Sequence, residues 1–301
     1  MRLLQVCDSR EYILGNCFGV QLHATLVDAF QTVDLVPYNE LYRIDVNSYD
    51  FILLTLKLRT FPREIELLVA TLASTPVWVY EQDPWESYAD IASIPGTYEL
   101  IRDRLNVQSF LNTSLWWSEF IRAQGVKSKF VKMWVHPKLC REHSWESKTI
   151  ELGFMGTPHP HRIVTFRALA NLGCAVTVLP SQQYHEFLEV VASMKFFIHD
   201  ESEGWTIKGD PIGRNALWGK EVEVASQGTF VLRNYEDEVH AYGLHENPLV
   251  LTYNSLSEIP GIIQRIQAHS PEELNAMIRD GVRQIRDNVG WMTVPEAMID
   301  G

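Results

Sequence analysis

Short apolar runs recur along the chain and alternate with stretches in which apolar positions return every three or four residues. Runs at 3–6 (LLQV), 33–36 (VDLV), 51–56 (FILLTL), 76–80 (PVWVY), 107–111 and 128–134 read as strands. Between them the spacing predicts helices through His23, Leu26, Val27 and Phe30, and over 62–73, 97–104 and 114–124. Strands covered on both faces carry near-continuous apolar runs, and their alternation with helices implies a parallel sheet joined by crossovers.

The pattern breaks at 135–149 (VHPKLCREHSWESKT), which is polar and contains proline, and a second series begins at Ile150. Strands are expected at 150–155, 174–179, 195–199, 229–232 and 249–252, with helices at 161–172, 182–193, 216–227, 256–268 and 271–288. The expected organisation is therefore α/β, with an N-terminal domain over 1–138 and a C-terminal domain over 139–301. The last helix is free to pack back on the first domain. A cleft between two such halves is the default place for a ligand.

Charge and cysteine content narrow the partners. A net charge of −12 argues against a nucleic-acid partner, because non-specific affinity for phosphate backbones comes from clustered Lys and Arg. Cys7, Cys17, Cys140 and Cys174 are widely spaced and form no C-x-x-C pair, which reads as buried, reduced thiols of a cytoplasmic protein. The start MRLLQVCDSR lacks the apolar core of a signal peptide, and no run approaches the roughly 20 apolar residues of a membrane span.

Three places carry candidate chemistry. The first is Gly153–Arg162 (GFMGTPHPHR), where a strand ends in glycine before a helix. Backbone amides around Gly156 and Thr157, with Arg162 in the first helical turn, suit an anion, although such junctions are also common as plain packing. His159 and His161 have no carboxylate or cysteine at ligand spacing and read as exposed loop residues. The second is Asp83, past the strand at 76–80. There a carboxylate can act as a base, or equally cap a helix over 84–91. The third is the stretch 199–232, with Glu203, Arg214, Asn215, Lys220 and Glu223. A carboxylate here suits the cis-diol of a ribose and the cations suit a diphosphate. Helical spacing puts Lys220 and Glu223 on one face, where they could instead form a surface ion pair, while Glu221 points elsewhere.

The run from Phe196 to Leu232, with Glu203-Gly204-Trp205 and later Lys220, Glu223 and Gly228 before Thr229-Phe230-Val231-Leu232, resembles the donor site of GT-B glycosyltransferases of the group 1 (family 4-like) type. Leu152–Thr157 resembles the first strand and loop of that fold's donor domain, and the segments 112–117 and 131–137 resemble the end of its acceptor domain. The resemblance implies two Rossmann-like domains with parallel sheets facing across a cleft. It also implies an enzyme that moves a sugar from a nucleotide-activated donor to an acceptor that the sequence does not identify. Glu223 would bind the donor ribose. The amides near Gly156, with Arg214 or Lys220, would hold the diphosphate; Arg162 and, as catalytic base, Asp83 join the site from the reading of the residues above. The group 1 pattern places a second glutamate eight positions before Glu223, where this chain has Asn215. Glu203, displaced by a longer loop, is one candidate for the sugar contact and Asn215 the other, which leaves retaining or inverting stereochemistry open. No Asp-x-Asp pair is present to hold a divalent ion on the donor, so the reading is metal-independent and needs no cofactor beyond the nucleotide sugar as substrate. A sugar-nucleotide epimerase and a non-catalytic nucleotide-sugar-binding protein are the alternatives. A dehydrogenase is disfavoured because no strand leads into G-x-G-x-x-G.

Overall fold

Leu3, Leu4, Val6 and Cys7 of the first strand have no exposed surface at all, as a strand enclosed on both faces requires. The computed structural model that shows this describes residues 1–72, 74–81, 83–90, 93–199, 205–212, 219–234 and 237–300. Contacts divide the chain into two compact units. One is Met1–Met133 with Gly204–Ala216 and Gly290–Gly301, and the other is Trp134–Glu203 with Leu217–Val289.

The sheet of the first unit contains β1 (Arg2–Cys7), β2 (Thr32–Pro37), β3 (Phe51–Thr55), β4 (Val77–Glu81), β5 (Val107–Asn112) and β6 (Ser128–Phe130), in the order β2-β1-β3-β4-β5-β6. Every pairing is parallel. Alternate residues serve opposite faces. Leu4, Val6, Ile52, Leu54, Val77 and Val79 pack with Phe61, Leu68 and Tyr98 on one side. Leu3, Leu53, Trp78, Tyr80 and Leu111 pack with Leu26, Phe30, Val294 and Met298 on the other. The strand expected over 128–134 stops at Phe130 because the amide of Lys132 leaves the sheet for the Thr293 hydroxyl, 2.8 Å away.

The sheet of the second unit contains β7 (Ile150–Met155), β8 (Thr177–Leu179), β9 (Met194–His199), β12 (Phe230–Asn234) and β13 (Val250–Tyr253), in the order β13-β12-β9-β7-β8. All its pairings are parallel too. Between β9 and β12 the chain forms a small antiparallel hairpin, β10 (Trp205–Ile207) and β11 (Asp210–Ile212), where the sequence reads only as a polar loop. Lys208 (φ +53°) and Gly209 (φ +80°) make its turn. The carboxylate of Asp90 accepts both turn amides, at 2.7 and 2.8 Å.

Both sheets share one logic. In each, the first strand has the second on one side and the third on the other, so the strand order reverses next to β1 and next to β7. In open parallel sheets ligands collect at the carboxyl ends of the strands flanking that reversal.

Candidate functional site

In the second unit the reversal lies between β7 and β9. The residue after β7, Gly156, has φ +141° and is buried, and its amide donates to the Leu179 carbonyl at 3.3 Å. A Cβ at this position would lie 3.1 Å from the Nζ of Lys220. The loop and the lysine are therefore packed together. Thr157, next in the loop, is exposed. Its carbonyl accepts a hydrogen bond from Arg162 Nη1 at 3.1 Å, and the same guanidinium lies 5.1 Å from the centre of the Phe154 ring. Arg162 is thus a buried brace of the loop.

Lys220 opens the helix Lys220–Ala225, which follows Gly219 (φ +63°). All five later residues of this helix are buried, including two glutamates. Gly228, at φ +74°, ends the turn after it, and a Cβ there would sit 2.7 Å from Ile278, so the helix stop expected at this glycine has a steric reason.

Glu221 has no exposed surface and meets two basic partners. His199 Nδ1 is 2.7 Å from its Oε1, and Arg233 Nη1 donates to the same oxygen. His199 and Arg233 are register neighbours at the carboxyl ends of β9 and β12, and both are buried. Burial would raise the Glu221 pKa, but the charges of His199 and Arg233 overcome it and hold the group at about 2. Glu223, two residues on, is in the opposite situation. It is 3% exposed; the Tyr184 hydroxyl lies near its carboxyl group, and among the described residues no hydrogen bond of good geometry reaches either oxygen. Burial drives its pKa up to about 8. Lys220 and the nearby Tyr184 hydroxyl pull down and Glu221 pushes up. The ion pair that Lys220 and Glu223 could have formed is not made.

In the first unit the carboxyl ends of β3 and β4 frame a pocket lined by Tyr12, Phe18, Thr55, Leu56, Lys57, Leu58, Tyr80, Glu81 and Asp83. Phe18 stacks on Tyr80 and meets Tyr12 edge-on, with ring centres 6.3 and 6.0 Å apart. The Lys57 ammonium lies 3.9 Å from the centre of the Tyr12 ring. Asp8, at the end of β1, fixes the β3 loop by accepting from the Lys57 amide and the Thr60 hydroxyl. The amide of Asp83 donates to the Glu81 carboxylate. The helix Trp85–Tyr88 has Pro84 at its N-cap position, so Asp83 stands one residue ahead of the cap.

Of the residues singled out in the sequence, Gly156, Thr157, Arg162, Lys220 and Glu223 gather in the second unit, and Asp83 stands in the pocket of the first. Glu203, Arg214 and Asn215 lie outside the described residues. The sequence reading missed His199 and Arg233 and the burial of Glu221 against them. Its available signal was a basic residue at or next to the carboxyl end of each of two largely apolar strands. Among the described residues no group of three or more His, Cys, Asp or Glu is arranged to hold a metal ion, and no helix is long and apolar enough to cross a membrane.

No protein-family model matches the sequence, and no curated protein matches it. Solved structures do. The T4 phage beta-glucosyltransferase aligns with a TM-score of 0.64 at 10% identity, over 100% of both chains. An alpha-glucosyltransferase in complex with UDP-glucose and DNA containing an abasic site aligns at 0.66 and 10% identity, over 99% of this chain and 98% of that one. The chain has the GT-B fold. Anabaena HepE, in complex with UDP and glucose, also shares this GT-B fold, at 0.62 and 10% identity over 100% of this chain and 98% of that one. Because one structure of this fold contains DNA, the net charge of −12 does not exclude a nucleic-acid acceptor. A local field can override the total charge.

Proposed function

We propose that this chain is a glycosyltransferase that moves a sugar from a nucleotide-activated donor to an acceptor hydroxyl without requiring a divalent ion. The observation that carries the reading is the placement of Lys220 against the Gly156 loop, with the buried Glu223 one helical turn further on, at the carboxyl edge of the second sheet. A cation beside a glycine loop suits a diphosphate, and a buried carboxyl group that makes no ion pair among the described residues suits a ribose diol. Solved structures of the same fold contain UDP or UDP-glucose, which favours a uridine diphosphate sugar as donor.

In this reading Thr157 faces the diphosphate and Arg162 shapes the loop around it. Glu203, Arg214 and Asn215 complete the donor site, as the group 1 (family 4-like) pattern implies. The acceptor meets the first unit at the pocket walled by Tyr12, Phe18 and Tyr80. Asp83 takes the proton of the attacking hydroxyl while that oxygen bonds to the anomeric carbon and the bond to the diphosphate breaks. The nucleoside diphosphate leaves with the electron pair, and Lys220 offsets the charge that develops on it. The lysine thus supplies what a divalent ion supplies elsewhere.

The test is release of UDP from a panel of UDP-sugars, with and without sugar, aglycone and oligonucleotide acceptors, in buffer containing EDTA. The reading expects acceptor-dependent release that persists in EDTA and falls by about 100-fold or more in Asp83→Asn. Release that needs a divalent ion, or that ignores the acceptor and the Asp83 substitution alike, contradicts it.

A further inference from the structure

Glu221 and Glu223 share one short helix but not one environment. Glu221 takes two buried basic side chains, His199 from β9 and Arg233 from β12. Among the described residues no ion pair is made by Glu223. The Lys220 ammonium is drawn toward Gly156 and forms no ion pair with it. The helix Tyr184–Ala192 brings the Tyr184 hydroxyl near Glu223. The helix Pro271–Asp287 turns Leu274, Ile278 and Val282 inward and keeps its charged side chains at or near the surface.

Resting on the donor-site reading above, we propose that Glu223 meets the donor ribose as a neutral carboxylic acid, and that Glu221 keeps it neutral by holding His199 and Arg233. A carboxylate can only accept hydrogen bonds, whereas the acid offers one O–H donor and a carbonyl acceptor. The acid can therefore give a hydrogen bond to one ribose oxygen and receive one from its neighbour. It also adds no negative charge beside the diphosphate. The same logic, in which two nearby carboxyl groups are driven to opposite protonation states, lets a single fold assign different tasks to identical side chains. Burial without an ion pair among the described residues, with Glu221 beside it, supplies the drive toward the neutral form of Glu223, which persists to about pH 8.

A carboxamide reproduces the donor and acceptor of the neutral acid, so Glu223→Gln separates the two forms. The experiment is calorimetric titration of UDP into the wild type, Glu223→Gln and Glu223→Ala. Glu223→Gln should bind within about threefold of wild type at pH 7, and Glu223→Ala about tenfold more weakly or worse. Wild-type affinity should fall as the pH rises through about 8, while that of Glu223→Gln stays level. A loss of tenfold or more in Glu223→Gln at pH 7, beside a wild type that binds, overturns the proposal and leaves the donor site standing. A wild type that binds no UDP or other nucleoside diphosphate overturns both. Independently of any ligand, carbon-13 NMR of the glutamate carboxyls should show one protonated glutamate at pH 7 that disappears in Glu223→Gln. Its absence from the wild type contradicts the proposal.

Discussion

The Nζ of Lys220 stands 3.1 Å from the point that a Cβ on Gly156 would occupy. Two segments 64 positions apart in sequence numbering (220 − 156) thus meet at the edge of the second sheet, and glycine is what permits the approach. Gly156→Ala should weaken UDP binding by about tenfold through displacement of the ammonium. It should also destabilise the fold by roughly 1–3 kcal/mol, because φ +141° is a conformation that alanine rarely adopts. Calorimetry and thermal unfolding measure the two effects separately.

Arg233 and His199 have one anionic partner in common, Glu221, and all three are buried. Removing a single member leaves a charge without its counterpart in the interior. Arg233→Met should therefore cost about 3–5 kcal/mol in denaturant unfolding, and adding Glu221→Gln should recover part of it. A loss in the double variant equal to the sum of the single losses counts against the coupling.

The two glutamates tilt the pH dependence of stability in opposite senses. Glu221 has a folded pKa of about 2, below its ordinary value, so its contribution is present above pH 4.5 and is lost as the pH falls toward 2. Glu223 has a folded pKa of about 8, above its ordinary value. Its contribution is complete below pH 4.5 and is lost as the pH rises to 8. Lys148, held down to about 7 by burial, adds stability above that pH and partly masks the second effect. The clean comparison is the wild type against Glu223→Gln across pH 5 to 9, in which the variant should gain relative stability toward the alkaline end.

On the acceptor side, Asp8 holds the β3 loop through the Lys57 amide and the Thr60 hydroxyl. Asp8→Ala should cost about 1.5–3 kcal/mol, the scale of charge-assisted hydrogen bonds. It should raise the KM for the acceptor while leaving UDP affinity unchanged, as steady-state kinetics and titration would show together.

The alternation of strands and helices was legible in the sequence because parallel strands such as Leu3–Val6 and Phe196–Ile198 are enclosed on both faces and stay apolar without interruption. Gly156 and Gly228 were legible as special positions for the same reason that glycine is needed there. The hairpin at 205–212 was not. Its strands are three residues each, too short for a period to declare itself, and its turn depends on Asp90, distant in sequence. Glu221 does point away from Lys220 and Glu223, as the helical spacing indicated. Helical spacing shows which residues share a face but not that the opposite face is buried against His199 and Arg233. The bracing contact of Arg162 with the Thr157 carbonyl, five positions earlier, was not read from the sequence either.

The central claim is that Lys220 and the Gly156 loop form a diphosphate site, and its most direct test is calorimetric titration of UDP into the wild type and Lys220→Met. The account predicts one site per chain in the wild type and an affinity lower by about tenfold or more in the variant, with the unfolding temperature little changed. Equal affinity in the two proteins, or no heat of binding in the wild type with any nucleoside diphosphate, would contradict it.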